Sequence, residues 1–174
     1  WAELLNQTGL FDVTVYNNSQ LGNVVDVLDR LIDGDVIAEA VSASDIADPL
    51  NIPDLKATMA PFLFDSIDDI NTLTQSDWFA ALADQAASQG VKIVAANLIN
   101  GERYFITKKP VAEPADMKGM KIRVPNNTNY INTFTAFGCA PTPMAATEIY
   151  TSLQTSVVDG MEHPLPDCLA NGYY

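Results

Sequence analysis

The sequence predicts an α/β protein, on three observations: an alternating strand at Lys121–Val124, a β-α-β-α-β order from there to Gly160, and earlier strand patterns interleaved with helical ones. In the first, Ile122 and Val124 turn to one face as core residues and Arg123 turns to the other. Pro125 lacks an N–H and stops the ladder. Asn126 to Thr128 then supply caps for a helix whose Tyr130, Ile131, Phe134 and Phe137 share a face, before Gly138. A short strand over Cys139–Met144, a helix from Thr147 with Ile149, Tyr150 and Leu153 on one side, and a strand through Val157-Val158 to Gly160 complete the series. Such an order builds a parallel sheet whose strand ends form a ligand crevice.

At the start of the chain, Trp1-Ala2-Glu3-Leu4-Leu5 reads as a helix entered part-way, and Tyr173-Tyr174 at its end falls where another element is expected, so the chain is read as truncated at both ends. Phe11, Val13 and Val15 alternate with polar residues, predicting a strand over Phe11–Tyr16 and an Asn-rich turn at Asn17–Ser19. Val24, Val25, Leu28, Leu31 and Ile32 recur at helical spacing up to Gly34. A second strand is predicted over Val36–Ser42, and Pro49 and Pro53 interrupt regular structure beyond it. The apolar run Met59–Phe64 holds Pro61, which a central ladder excludes. Ser66 with Asp69 resembles a capping box and opens a helix carrying Ile67, Ile70 and Leu73. A helix over Asp77–Ser88 turns Trp78, Phe79, Leu82 and Ala86 inward, and Val91–Ala96 reads as a strand. A boundary is placed at Asn100-Gly101, a turn between strands Val91–Ile99 and Tyr104–Thr107.

Charge divides the chain at nearly the same point. Residues 1–90 carry 15 acids against Arg30 and Lys56, while residues 91–174 carry 7 acids and 7 bases. The acidic half solubilises and makes nucleic acid an unsuitable partner; an anionic ligand would be drawn to the second half. With 48% hydrophobic and 18% charged residues the chain supports a globular core. No apolar run approaches the roughly 18 residues a membrane span requires. Cys139 and Cys168 fit either a disulfide or two buried thiols, and neither belongs to a metal-like cluster with the single histidine. The sequence has no Gly-x-Ser-x-Gly, P-loop or Gly-x-Gly-x-x-Gly motif, which argues against an enzyme and against a nucleotide cofactor. Glu148, in the first turn of a helix, reads as a structural carboxylate rather than an acid catalyst.

Four motifs, in order, carry a resemblance. Asp116-Met-Lys-Gly-Met-Lys-Ile-Arg-Val-Pro-Asn126, Gly138-Cys-Ala-Pro-Thr-Pro-Met-Ala145, Glu148-Ile-Tyr-Thr-Ser-Leu-Gln154 and Val158-Asp-Gly-Met-Glu162 are similar to the solute-binding subunit of tripartite ATP-independent periplasmic (TRAP) transporters, the DctP family. Gln20-Leu21-Gly22, Pro61-Phe-Leu-Phe64 and Asn100-Gly-Glu-Arg103 agree, so the resemblance covers nearly the whole chain. It implies a periplasmic-binding-protein-like fold of two lobes, represented in part by residues 1–100 and in part by residues 101–174, closing on a cleft across hinge strands. It also implies capture of a small organic carboxylate in the periplasm and delivery to a TRAP membrane permease. An extracytoplasmic sensor and an enzyme on the same scaffold are the alternatives. Whether the protein is a monomer or a homodimer is not decidable from sequence.

The resemblance places the ligand carboxylate on Arg123, whose planar fork can donate two parallel N–H bonds and stays charged. Arg103 matches a second arginine of many members, with an ion pair to Glu102 or another surface acid as the rival role. Asn126 matches a polar pocket residue. His163 stands where many members place a ligand-contacting asparagine, with a packing role as the rival. Ala146 replaces an aromatic residue of some sialic-acid binders, which argues against sialic acid as ligand.

Overall fold

A computed structural model describes residues 1–17, 19–99 and 101–173. Asn18 of the expected Asn-rich turn, Asn100 of the expected boundary turn, and Tyr174 lie outside them. Seven helices are described: α1 (Ala2–Gln7), α2 (Val24–Ile32), α3 (Ile67–Thr74), α4 (Asp77–Ser88), α5 (Thr128–Ala136), α6 (Ile149–Gln154) and α7 (Leu165–Asn171). The strands are β1 (Arg103–Thr107), β2 (Lys121–Val124), β3 (Ala140–Pro143) and β4 (Gly160–Pro164), in one sheet of order β1-β4-β2-β3. β2 runs parallel to both β3 and β4, and β1 closes the other edge antiparallel to β4. The expected parallel arrangement is therefore present in the second half, with one antiparallel edge strand added.

Local chemistry accounts for the helix starts. Asn23 accepts N–H bonds from Val25 and Asp26 at 2.8 and 3.3 Å, and Asp26 accepts the Asn23 N–H at 2.8 Å, a reciprocal capping box that opens α2. Ser66 caps α3 by accepting the Asp69 N–H, but the Asp69 carboxylate takes the N–H of Asp65 and the hydroxyl of Ser66. The expected box is thus displaced by one residue, its acid accepting the N–H that precedes the cap. Asn127, not Asn126, caps α5 by accepting the N–H of Asn129. Of the acids in the second half, Asp116 accepts two backbone N–H bonds and Glu148 accepts that of Ala145, so both hold turns.

Three expected strands are not formed. Phe11–Tyr16, Val36–Ser42 and Val91–Ala96 are irregular and join no sheet among the described residues, and Val36 and Val94 lie fully or largely in solvent. Alternation prepares a face for burial, but a strand also needs a neighbour to complete its ladder. The expected hinge strand Val91–Ile99 fails for the same reason. The strand placed at Val157-Val158 begins instead at Gly160, because residues up to Asp159 form a turn in which Ser156 has φ of 56°. Several residues assigned to helix cores face solvent: Trp78, Val25, Ile32, Ile67 and Tyr150 are exposed, whereas Phe79, Leu82, Ala86 and Ile149 are buried.

The buried apolar residues fall into three clusters. One joins Leu28, Ile46, Leu50, Leu55, Phe79, Leu82 and Val91; a second joins Met117, Ile122, Val124, Phe134 and Cys139; a third joins Ile149, Met161 and Cys168. Both cysteines are free, buried thiols in different clusters, so the disulfide is not formed.

Candidate functional site

The sheet brings one of the sequence-chosen residues, Arg103, onto Glu162, which the sequence reading did not choose. Antiparallel pairing sets Phe105 opposite Glu162 and Arg103 opposite Pro164, so Arg103 and Glu162 are diagonal neighbours on one face. That separation suits long side chains. Arg103 donates from Nε and Nη2 to the two carboxylate oxygens of Glu162, the second at 2.8 Å. This fork-on-fork contact is the geometry of an ionised pair. The partner of Arg103 is thus a buried glutamate across the sheet, not Glu102 or a surface acid; Glu102 instead accepts the hydroxyl of Tyr104. The Arg103 guanidinium also lies 4.9 Å from the ring centre of Tyr130 on α5.

Arg123 stands on the central strand β2, opposite Met161 of β4, and is only 3% exposed. Its Nε and Nη2 donate to the Met144 carbonyl at 3.2 and 2.8 Å. Among the described residues no carboxylate comes within ion-pair distance of it. The expectation that alternation turns it to a face opposite the core holds only in direction, since that face is itself covered.

Electrostatics follow from this arrangement. Burial pulls the pKa of Arg103 down, but the hydrogen bonds and charge of Glu162 more than offset that and leave it raised. Burial lowers that of Arg123, with the Glu162 charge opposing and the Arg103 charge adding to the shift. Glu162 is pushed up by burial and held down by both arginines. Glu162 is the ion-pair partner of Arg103, and its charge reaches Arg123 without a direct contact.

His163 is partly buried on β4, opposite Tyr104 of β1. Its Nδ1 is buried without a hydrogen-bond partner among the described residues, its Nε2 lies 3.7 Å from Asp167, and its ring meets Tyr173 edge to face. Burial, followed by the charges of Arg103 and Arg123, lowers its pKa, so the imidazole is neutral at pH 7. Asn126 comes directly after β2 and Pro125 and is exposed. The remaining acid of the Val-Val-Asp-Gly motif is structural: Asp159 accepts the Lys121 N–H at 2.8 Å and pins the start of β4. Sequence reasoning missed Glu162 as a partner, because cross-strand register is not written in either strand alone. It also missed Asp45, whose pKa is raised by burial and lowered by a hydrogen bond from Asn127 and by the charge of Arg103.

A sequence profile described as DctP, bacterial extracellular solute-binding protein, family 7, matches residues 1–174. The chain belongs to the DctP family. One DctP-family relative is the sialic acid-binding periplasmic protein SiaP of Vibrio cholerae, 30% identical over 166 residues, or 95% of this chain and 51% of SiaP. A TRAP periplasmic solute-binding protein from Desulfovibrio salexigens, solved in complex with diglycerolphosphate, is 36% identical with a TM-score of 0.85, over 94% of this chain and 52% of that one. The sugar acid binding protein DctPAm of Advenella mimigardefordensis, in complex with galactonate, is 29% identical with a TM-score of 0.88, over 99% and 56%. The chain therefore spans about half the length of these relatives. They are solute-binding proteins, not enzymes, and their family is extracytoplasmic. Among the described residues no helix is long and apolar enough to cross a membrane.

Proposed function

We propose that the protein of which this chain is part captures a small organic carboxylate in the periplasm, between lobes that residues 1–100 and 101–174 form in part. It then delivers the ligand to TRAP permease subunits, with no catalytic step. The observation that carries this reading is Arg123: a guanidinium withdrawn from water, held by one carbonyl, and free of any carboxylate within ion-pair distance among the described residues. A buried charge without its counterion is costly, and an anionic ligand supplies the counterion. Arg103, already forked onto Glu162, serves as the second arginine and orients the site. Asn126 at the end of β2 and His163 on β4 contribute polar contacts. The separate core clusters on either side of residue 100 favour the two-lobe boundary. The anionic ligands named for two of the solved relatives, galactonate and diglycerolphosphate, favour the same ligand charge.

The test begins with mass spectrometry of small molecules released from the full-length protein, where an organic carboxylate is expected. Calorimetric titration of that compound into wild type and Arg123→Ala comes second. Removing one partner of a buried charge pair costs roughly 3–5 kcal/mol, so affinity should fall some hundreds- to thousands-fold. A variant within threefold of wild type would remove Arg123 from the ligand.

A further inference from the structure

The residues just beyond Arg123 make a second set of polar contacts, reaching residues 44–56 of the first half. Asn127 is 7% exposed and Ser44 2%, although both are polar and lie 83 positions apart. The Asn127 amide donates to Ser44 Oγ at 3.1 Å and to Asp45 Oδ1 at 2.5 Å. Thr128 donates to Asp48 at 2.9 Å, Lys56 pairs with the same carboxylate, and Asn129 donates to the Lys56 carbonyl at 2.8 Å. The start of α5 is thereby clasped to residues 44–56.

Three observations bear on how this clasp could part. No hydrophobic core cluster includes residues of both halves, so the contacts across this line are mainly polar. The bonds that would break are hydrogen bonds, which water can replace at small net cost. Asn127 divides its functions by atom: Oδ1 accepts the N–H of Asn129 within α5, while the amide hydrogens alone reach across. The helix cap therefore survives when the clasp is released. Beside the clasp a wedge of about 300 Å³, lined by Lys56, Ala60, Asn129, Asn132 and Thr133, leaves room for the surfaces to move. Farther along, Phe62, strained at φ of 59°, meets Phe137 edge to face.

We infer that Asn127 and Thr128, with Ser44, Asp45 and Asp48, form a latch that holds the two lobes together independently of the ligand. This rests on the two-lobe reading. α5 starts shortly after Arg123 on the same rigid lobe, so the latch adds its energy to that of the ligand in the closed form and slows ligand release.

The test uses the full-length protein freed of ligand, with spin labels on unnatural amino acids at exposed Gln85 of α4 and Thr151 of α6. Asn127→Ser keeps a capping oxygen but cannot span to Ser44 and Asp45; Thr128→Val removes the Asp48 bond and touches no cap. Pulsed EPR should show the short-distance population falling relative to the long, on the order of tenfold for Asn127→Ser and less for Thr128→Val, with unchanged melting temperature. Adding Ser44→Ala to Asn127→Ser should change nothing further, as expected for partners in one interaction. Identical distance distributions in wild type and both variants, or an additive effect of Ser44→Ala, would overturn the latch. No ligand is present, so that failure leaves the Arg123 reading untouched, and failure of Arg123→Ala leaves the latch untouched.

Discussion

At the scale of single residues the site is a problem in charge accounting. Arg103 and Arg123 stand on the two strands that flank β4 and repel, and the charge of Glu162 on β4 offsets that repulsion at both guanidiniums. Arg123 was legible in the sequence because alternation before a proline fixes its strand and face. The assignment of Arg103 was legible only in part, since its partner comes from a strand 59 positions away. His163 lies within reach of the same field and yields a pH prediction. Its folded-state pKa lies below the ordinary value of 6.5, owing to burial and the two arginines. As pH falls through 6.5 the unfolded chain takes up a proton that the folded chain resists, so this residue's contribution to stability declines until the lowered folded-state pKa is passed. Urea unfolding at pH 7.5 and pH 5 should show a larger loss on acidification in wild type than in His163→Asn. Equal losses would place the imidazole outside the field of the arginines.

At the scale of elements, what a strand pattern can and cannot reveal becomes clear. Lys121–Val124 was read correctly because α5 and α6, which follow it in sequence, return the chain so that β3 and β4 pair parallel with it. Phe11–Tyr16 alternates as well, and Val36–Ser42 and Val91–Ala96 are rich in strand formers, yet none of them enters the sheet, because pairing is a property of two segments and sequence pattern belongs to one. Gly160 exposes the same point from the packing side. A Cβ there would strike the Ile106 carbonyl and come within 2.7 Å of Thr107 Cγ2 and 3.0 Å of Thr107 Cα. The Asp-Gly motif thus lets β1 approach β4 closely, which no reading of the turn alone suggests. Gly160→Ala should force the two strands apart, cost about 1–3 kcal/mol in denaturant unfolding, and weaken binding of the released carboxylate by dislodging Arg103 from Glu162. A variant of full stability and affinity would mean that β1 can shift without disturbing the site.

At the scale of the whole molecule the two halves differ in how their backbone is secured. Residues 103–164 hold all four described strands, whose ladders are buried against α5, α6 and α7, whereas the first half relies on helices and on one apolar cluster under extended segments. The sequence marked this division by charge, with 15 acids before residue 91, but not by stability, since hydrophobic content is distributed through both halves. Amide exchange reports opening of individual backbone hydrogen bonds, so segments outside any ladder should exchange at the lowest opening free energies. For the 174-residue chain, mass-resolved hydrogen exchange should find residues 11–17, 36–42 and 91–99 fully labelled while 121–124 and 160–164 remain protected. The latch region gives the measurement its discriminating power: the amides at the start of α5 should be protected in wild type and should keep that protection in Asn127→Ser, because the serine still caps the helix. Residues 44–48, which lose their hold on α5, should label faster in the same variant. Uniform protection across both halves would contradict the separate cores, and unchanged labelling at 44–48 would show that the loop is secured by its own cluster at Ile46, Ala47 and Leu50 rather than by the helix it faces.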